Sequence, residues 1–422
     1  MGREGQERSK QYALQVFVGC CLMKFCTGGI APNGTINIFL SYIAEDWQMD
    51  ISSIALMNSI MCLVTMVMAP VMSRMMLKFS PKRVVQVSFI IGISGYLLCS
   101  LAKNCGWLYF CGGLVGIGNA CLTYSALPFF INGWFRYKVG TFLGLSTVTQ
   151  AFGKLVFSPL CSHLITTVGW QKTYLIFGTL SCLIFLPSTH ILLKDLPESM
   201  GMQPYSGNTP EEKKRLFTPV RGMPEREVYH TSTFWMLVFC TFIAGYCLSI
   251  STSVVAIVRS TGVLSDSRAG LANSAIALGM LVGEPALGRL FDRQKVYWKP
   301  VLLFCILQSA GMVMMANISA VPSLVLPVCL IIGMGIGATG TVMIPYVSRV
   351  TFGPKYYSHY YQRFVICISA ANACSNYITN YIFDVTGSYS SILYVTSGIS
   401  ILIVIFIYQA YGRVQYLRAR WI

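Results

Sequence analysis

Between residues 11 and 412 the sequence repeats one pattern twelve times: a predominantly apolar run of about 20 residues or more, closed by short polar punctuation. At about 1.5 Å per residue in a helix, each run can cross a hydrocarbon core about 30 Å thick. The runs fall at residues 11–43, 52–77, 84–103, 107–133, 140–167, 170–194, 232–260, 267–291, 299–317, 322–350, 358–385 and 388–412. Helix is preferred over strand because a barrel strand needs only about 9–11 alternating residues. Charged residues make up 11% of the chain, against about 25% in an average soluble domain, too few to coat a water-facing surface. The fold class is therefore an all-α membrane protein with twelve transmembrane helices.

The runs divide six and six around residues 195–231, a segment containing PEEKKR and several prolines. Two pseudo-symmetric six-helix halves, 1–194 and 232–422, joined by a linker, are expected to meet at a substrate site. In the first run Pro32, Asn33 and Gly34 are expected to loosen the helix. The opening MGREGQERSK leads into an apolar run too long for a signal-peptide core, so no cleavable leader is expected.

A net charge of +16 raises the question of nucleic acid, and the placement of the charge answers it. If the N-terminus is cytoplasmic, 24 of the 31 basic residues lie in inner segments, among them Arg74, Lys78, Arg136, Lys138, Lys213 and Lys214. Four lie in outer loops: Lys103, Lys172, Arg259 and Arg268. That asymmetry is the positive-inside signature, so both termini are expected in the cytoplasm of a multi-pass plasma (inner) membrane protein, with no nucleic-acid partner. The 16 cysteines form no Cys-x-x-Cys pair and nearly all lie in apolar runs, which points to packing; no metal and no cofactor is expected.

Three cations and one acid remain inside the spans: Lys24, Lys154, Arg363 and Glu284. A charge at mid-span costs about 2.5–3.5 kcal/mol on insertion scales, against about 0.3–0.6 kcal/mol gained per leucine, so each asks for a reason. Lys24 lies near mid-depth of the first span, flanked at helical spacing by Cys20, Cys21, Thr27 and Gly28. Lys154 shares a helical stripe with Thr147, Gln150, Ser158 and Cys161, a polar line that a lipid-facing surface would not carry. Glu284 is the single acid well inside a span. Arg363 lies about five residues into the eleventh span, where snorkelling to the interface competes with a functional role. The same span carries Ser369, Asn372, Ser375, Asn376, Thr379 and Asn380. Asn119, Thr123 and Tyr124 in the fourth span and Tyr346 in the tenth add further hydrogen-bonding capacity.

GRLFDRQK, after the eighth span, sets Gly288, Asp292 and Arg293 at the spacing of the G-x-x-x-D-R loop signature of the major facilitator superfamily, which the chain resembles. After the second span Leu77 and Ser80 replace the aspartate and glycine of the matching copy, which weakens that half of the latch the resemblance implies. Further fragments are NGWFRYKVGTFLG from Asn132, LPESMGMQP from Leu196, TSTFW from Thr231, FGPKYYSHYY from Phe352 and DVTGSY from Asp384. Together they resemble the oxalate:formate antiporter and monocarboxylate transporter branch, with Val139 standing where those relatives usually carry arginine. The resemblance implies that the fourth and tenth helices line the cavity and that the fifth and eighth pack side by side, which would let Lys154 approach Glu284. Relatives that carry oxalate have an arginine in the eighth helix and a lysine in the eleventh. Here Glu284 and Ile368 or Ser369 stand near those positions, so oxalate itself is not expected.

These residues point to a monomeric secondary transporter of a small organic anion, a carboxylate first of all, working by proton symport or anion exchange. Lys24, Lys154, Asn119, Tyr124, Tyr346, Asn372 and Asn376 are the expected substrate contacts. Glu284 and Arg363 are the expected coupling residues, and Gly288, Asp292 and Arg293 the conformational latch. The alternative is a carrier of another solute, a zwitterionic amino-acid-like compound or an exported drug-like one. A membrane sensor would want a cytoplasmic output domain, for which the tails and linker leave no room. An enzyme would want an acid pair, a nucleophile–histidine pair or a metal cluster, and none appears.

Overall fold

The computed structural model describes residues 3–31, 33–135, 139–205, 222–293, 296–353 and 357–418. Twelve long helices follow the twelve apolar runs. They are α1 (Glu7–Ile30), α2 (Ile51–Lys78), α3 (Pro81–Leu101), α4 (Cys105–Trp134), α5 (Val139–Val168) and α6 (Trp170–Leu192). The second set is α7 (Ser232–Thr261), α8 (Gly270–Arg293), α9 (Trp298–Ala316), α10 (Pro322–Phe352), α11 (Tyr357–Thr386) and α12 (Ser390–Arg418). Among the described residues, eleven helices are long and apolar enough to cross a membrane. The exception, α11, has the length at 30 residues, but its serines, threonines and asparagines dilute the apolar content. Large apolar side chains such as Val67, Leu183 and Tyr408 lie exposed on these helices, as a hydrocarbon solvent requires and water would not tolerate.

Helix ends follow local chemistry. Asn104 opens α4 by accepting a hydrogen bond from the Trp107 amide, and Thr231 opens α7 by accepting one from Phe234. Proline stands at the first position of α3, where its missing N–H costs nothing. Pro32 lies outside the described residues; the first crossing breaks around Asn33 and Gly34. Its regular α-helix reaches Lys24, a π-helical turn follows over Phe25–Ile30, and a short helix resumes at Phe39–Trp47. Gly34 is obligatory in that break, since a Cβ there would fall 2.1 Å from the Gly29 carbonyl oxygen.

The chain forms two compact units. The first comprises residues 1–36, 64–157 and 168–219, and the second 37–63, 158–167 and 220–422. Within the first, Phe89 stacks on Phe185 at 3.6 Å and Tyr96 meets Tyr174 edge-on at 4.8 Å. Within the second, one apolar cluster runs from Met223 to Ala410 and includes Leu237, Phe291, Phe304, Ile344 and Phe364. Residues 37–63 bury further apolar side chains, among them Phe39, Ile43, Ile54 and Met57. The described ends of the linker are each tied to a helix end of their own unit: the Tyr205 amide donates to the Trp134 carbonyl of α4, and the Met223 amide to the Phe352 carbonyl of α10. The PEEKKR stretch, Arg136 and Lys138 lie outside the described residues. Ser80 donates to Asp195 at 2.6 Å, so the serine in the weakened signature copy anchors the start of the linker instead.

Candidate functional site

Three helices carry a π-helical turn: α1 ends in one at Phe25–Ile30, and α4 and α10 have one near mid-length, at Ala120–Ser125 and Ala338–Met343. A π turn holds one residue more than an α turn, so a backbone carbonyl drops out of register and must find another donor. In the first unit Lys24 supplies one. Its side chain is 5% exposed, and Nζ donates to the Thr123 carbonyl at 2.8 Å. No described carboxylate forms an ion pair with it.

One turn further on, Asn33 and Asn119 clasp each other. Asn33 Nδ2 donates to Asn119 Oδ1 at 2.8 Å, and Asn119 Nδ2 donates back to Asn33 Oδ1 at 2.6 Å. Asn33 Nδ2 also reaches the Thr123 hydroxyl at 3.0 Å. Gly28 and Gly29 bring α1 against α5. A Cβ on Gly28 would lie 2.3 Å from the Gln150 side chain, and one on Gly29 would lie 2.7 Å from the Gly153 Cα. Thr149 adds a hydrogen bond to the Cys21 carbonyl at 3.0 Å. Lys154 follows Gly153 directly and is half-buried. The site in this unit is thus a buried ammonium and an amide pair, set against two π turns.

The second unit holds a different polar region, along α7 and α11. The helices touch closely at Gly245, where a Cβ would lie 3.1 Å from Ala371 Cβ. Beyond that contact Thr252 donates to Asn376 Oδ1 at 2.6 Å, Ser375 to the Tyr246 carbonyl at 3.2 Å, and Asn380 Nδ2 to the Asn376 carbonyl at 2.7 Å. Ser249 Oγ, Ser369 Oγ, Asn372 Oδ1 and Thr379 Oγ1 are buried with no hydrogen-bond partner among the described residues. Such orphans are uncommon in a native interior and mark places where water or a ligand completes the bonding.

The remaining expected residues belong to both units. Glu284 is half-buried on α8, followed by Pro285, and belongs to the second unit, whereas Lys154 belongs to the first. Tyr346 packs rather than presenting its hydroxyl: the ring stacks on Phe291 at 4.3 Å and the OH donates to the Phe291 carbonyl at 3.1 Å. Arg363 is exposed, its guanidinium 5.9 Å from the centre of the Tyr229 ring. Gly288 and Arg293 lie in the last turns of α8. The side chains of Asp292, Thr147 and Tyr124 lie outside the described residues; the backbone of Tyr124 is in the α4 π turn.

Sequence reasoning did not single out the π turns or the Asn33 clasp. A signal was present for two of the turns: the same triplet, Gly-Ile-Gly, stands at 116–118 and 335–337, just ahead of the turns in α4 and α10. Gly118 lets α4 meet Gly92 of α3, a Cβ there falling 2.7 Å from the Gly92 Cα.

A family model described as Major Facilitator Superfamily matches residues 22–373. The chain is 23% identical over 315 residues to human (Homo sapiens) monocarboxylate transporter 12, covering 70% of this chain and 60% of that one. It is 22% identical over 281 residues to YhjX, an uncharacterized MFS-type transporter of Escherichia coli strain K12, covering 65% of each. The chain thus spans less than two thirds of the length of these relatives. Its fold is similar to the crystal structure of a bacterial homolog of the human lysosomal transporter Spinster, in an inward-facing and occupied conformation. The TM-score is 0.68 at 14% identity, over 96% of this chain and 97% of that one.

Proposed function

This chain belongs to the Major Facilitator Superfamily, and on that premise we propose that it is a secondary active transporter of a small organic anion, a carboxylate first of all. The observation that carries the reading is Lys24, an ammonium inside a membrane span, buried, with one backbone carbonyl as its hydrogen-bond acceptor and no described counter-ion. An ammonium has three donors, and burying it without an anion costs several kcal/mol. An arriving carboxylate supplies the missing charge and accepts the remaining N–H bonds. The relatedness to a protein named for monocarboxylates supports the same class. Lys154, on the helix that Gly29 touches, adds positive potential in the same unit.

Alternating access would move the six-helix halves, 1–194 and 232–422, with both termini in the cytoplasm of the plasma membrane and the chain monomeric. The turn at Gly288, Asp292 and Arg293 would act as a latch. Glu284 would couple the cycle to a proton or to anion exchange by pairing with Lys154 in one state, with Arg363 a second cation for it. Asn119, Tyr124, Tyr346, Asn372 and Asn376 complete the proposed set of substrate contacts; Tyr346 would have to release its backbone bond first.

The test is calorimetric titration of the purified chain with a short monocarboxylate such as propionate. Wild type should bind, Lys24→Gln should bind far more weakly, and Lys24→Gln binding as wild type does sinks the anionic reading. Glu284 favours a second reading, a zwitterion whose ammonium group it would meet. Binding of an amino acid that Glu284→Gln abolishes, with no binding of propionate, would select it.

A further inference from the structure

Residues 37–63 and 158–167 precede the linker in sequence but cluster with the residues that follow it. They bury apolar side chains of their own, among them Phe39, Leu40, Ile43, Ile54 and Met57. They also make polar contacts with residues beyond the linker, and the charged ones collect at one end.

Arg259, in the last turn of α7, is their centre. Its Nη2 donates to Glu45 Oε2 at 2.5 Å, its Nε donates to Asp266 Oδ1 at 2.8 Å, and its guanidinium lies 3.9 Å from the centre of the Tyr42 ring. The Tyr42 hydroxyl donates to the Asp266 carbonyl at 2.6 Å, which closes the group. Glu45 and Tyr42 come from the short helix 39–47, Arg259 from α7, and Asp266 from the turn before α8. A second charge acts at the start of α2. Asp384, near the end of α11, accepts from the Ile51 amide at 3.2 Å and the Ser52 amide at 2.9 Å. A carboxylate there meets both unpaired N–H groups and the positive end of the helix dipole.

From these contacts we infer that Arg259 with Glu45, Asp266 and Tyr42, together with Asp384 on the α2 N-terminus, form a two-point electrostatic clasp that keeps this end of the second unit closed and opens once in each transport cycle. The inference rests on the chain being a transporter, though not on which solute it carries.

Three features favour a clasp that opens over a permanent weld. Arg259 is shielded, with a side chain 12% exposed, but its acids are not: Glu45 is 69% and Asp266 55% exposed. Water can replace the arginine at either carboxylate, so neither acid is stranded when the contacts break. Beneath the charges, further polar contacts join the same segments. Ser59 donates to the Ala373 carbonyl at 2.7 Å, Asn273 donates to the Ser158 hydroxyl at 2.7 Å, and Asn58 bonds Asn37. Hydrogen bonds of this kind can be exchanged for water when the contact parts. Finally, the contacts join positions 214 and 332–333 residues apart, so no local helical geometry enforces them.

A cysteine at Ser59, buried and about 12 Å along α2 from the end capped by Asp384, reports the opening. The full chain in membrane vesicles is treated with a membrane-impermeant maleimide added to the face on which Arg259 lies, and labelling of the chain without Ser59→Cys is subtracted. In the Ser59→Cys background, Arg259→Gln with Asp384→Asn should raise the labelling rate about tenfold or more. Arg259→Lys, which keeps the charge but loses the fork, should raise it about threefold and guards against a fold lost with the double variant. Unchanged labelling in both, in protein that stays monodisperse, overturns the clasp. The reaction needs no transported ligand, so failure of the carboxylate reading would leave this result standing.

Discussion

The polar interior of the first unit and that of the second solve opposite problems. Around Lys24 there is a full charge, and the neighbouring groups are matched: Asn33 and Asn119 satisfy each other and the ammonium takes a displaced carbonyl. Along α7 and α11 the stretches 249–253 and 369–380 carry no charged side chain, and four buried oxygens there have no hydrogen-bond partner among the described residues. A charge surrounded by satisfied dipoles is suited to selecting an ion of opposite sign. Neutral oxygens left open are suited to water and to the hydrogen-bonding groups of a passing solute. Under the proposed carboxylate reading, the first region would discriminate by charge and the second would accommodate the solute.

The sharpest way to break that contrast is to remove the charge and one neutral oxygen in parallel. Lys24→Gln should weaken propionate binding by about 100-fold, in line with roughly 3 kcal/mol for a desolvated charged contact, while Asn372→Ala should weaken it less than tenfold. Equal losses measured by calorimetry would erase the distinction.

Next in size is Asn119→Leu, which leaves the half-buried Asn33 amide without its reciprocal partner. Thermal unfolding in detergent should show a loss of about 2–3 kcal/mol. A smaller but measurable loss, about 1–3 kcal/mol, should follow Gly153→Ala, because the new Cβ would fall 2.6 Å from the Gly29 Cα and force α1 from α5. The smallest effect belongs to the seam. Asn372→Leu removes an oxygen that has no partner, so stability should be unchanged or higher by up to about 1 kcal/mol. A loss as large as that of Asn119→Leu would mean that the seam is as fully bonded as the Lys24 site.

Much of this architecture is legible in the chain because a bilayer leaves few alternatives. Run length alone places the twelve helices, and the break around Asn33 and Gly34 appears where the residues forbid a helix. Lys24 and the polar face of α11 stand out because hydrocarbon makes such residues expensive. The rest was hidden for a physical reason. A π turn differs from an α turn by one register step that ordinary side chains do not announce, and Asn33 reads as a helix breaker until its partner on α4 is known. Arg259 reads as one more loop cation, although 214 residues separate it from Glu45. Tyr346 shows the converse, a polar group on an expected cavity helix whose hydroxyl is already committed to a neighbouring backbone.

The polarity of α11 also bears on how the chain is made. A helix is released sideways into the bilayer during synthesis when its own apolar content outweighs its polar groups. Eleven helices meet that condition by composition, and α11, with its asparagines and serines, does not. Its entry must lean on company: α7, already in place, offers Tyr246 and Thr252 to its polar face, and α12 follows with a strongly apolar run. Ribosome-bound chains ending before α12 would then hold α11 at the insertion machinery, and release would come with the next thirty residues or so. The asparagines and serines that make α11 polar would thus make it the last helix to settle during assembly.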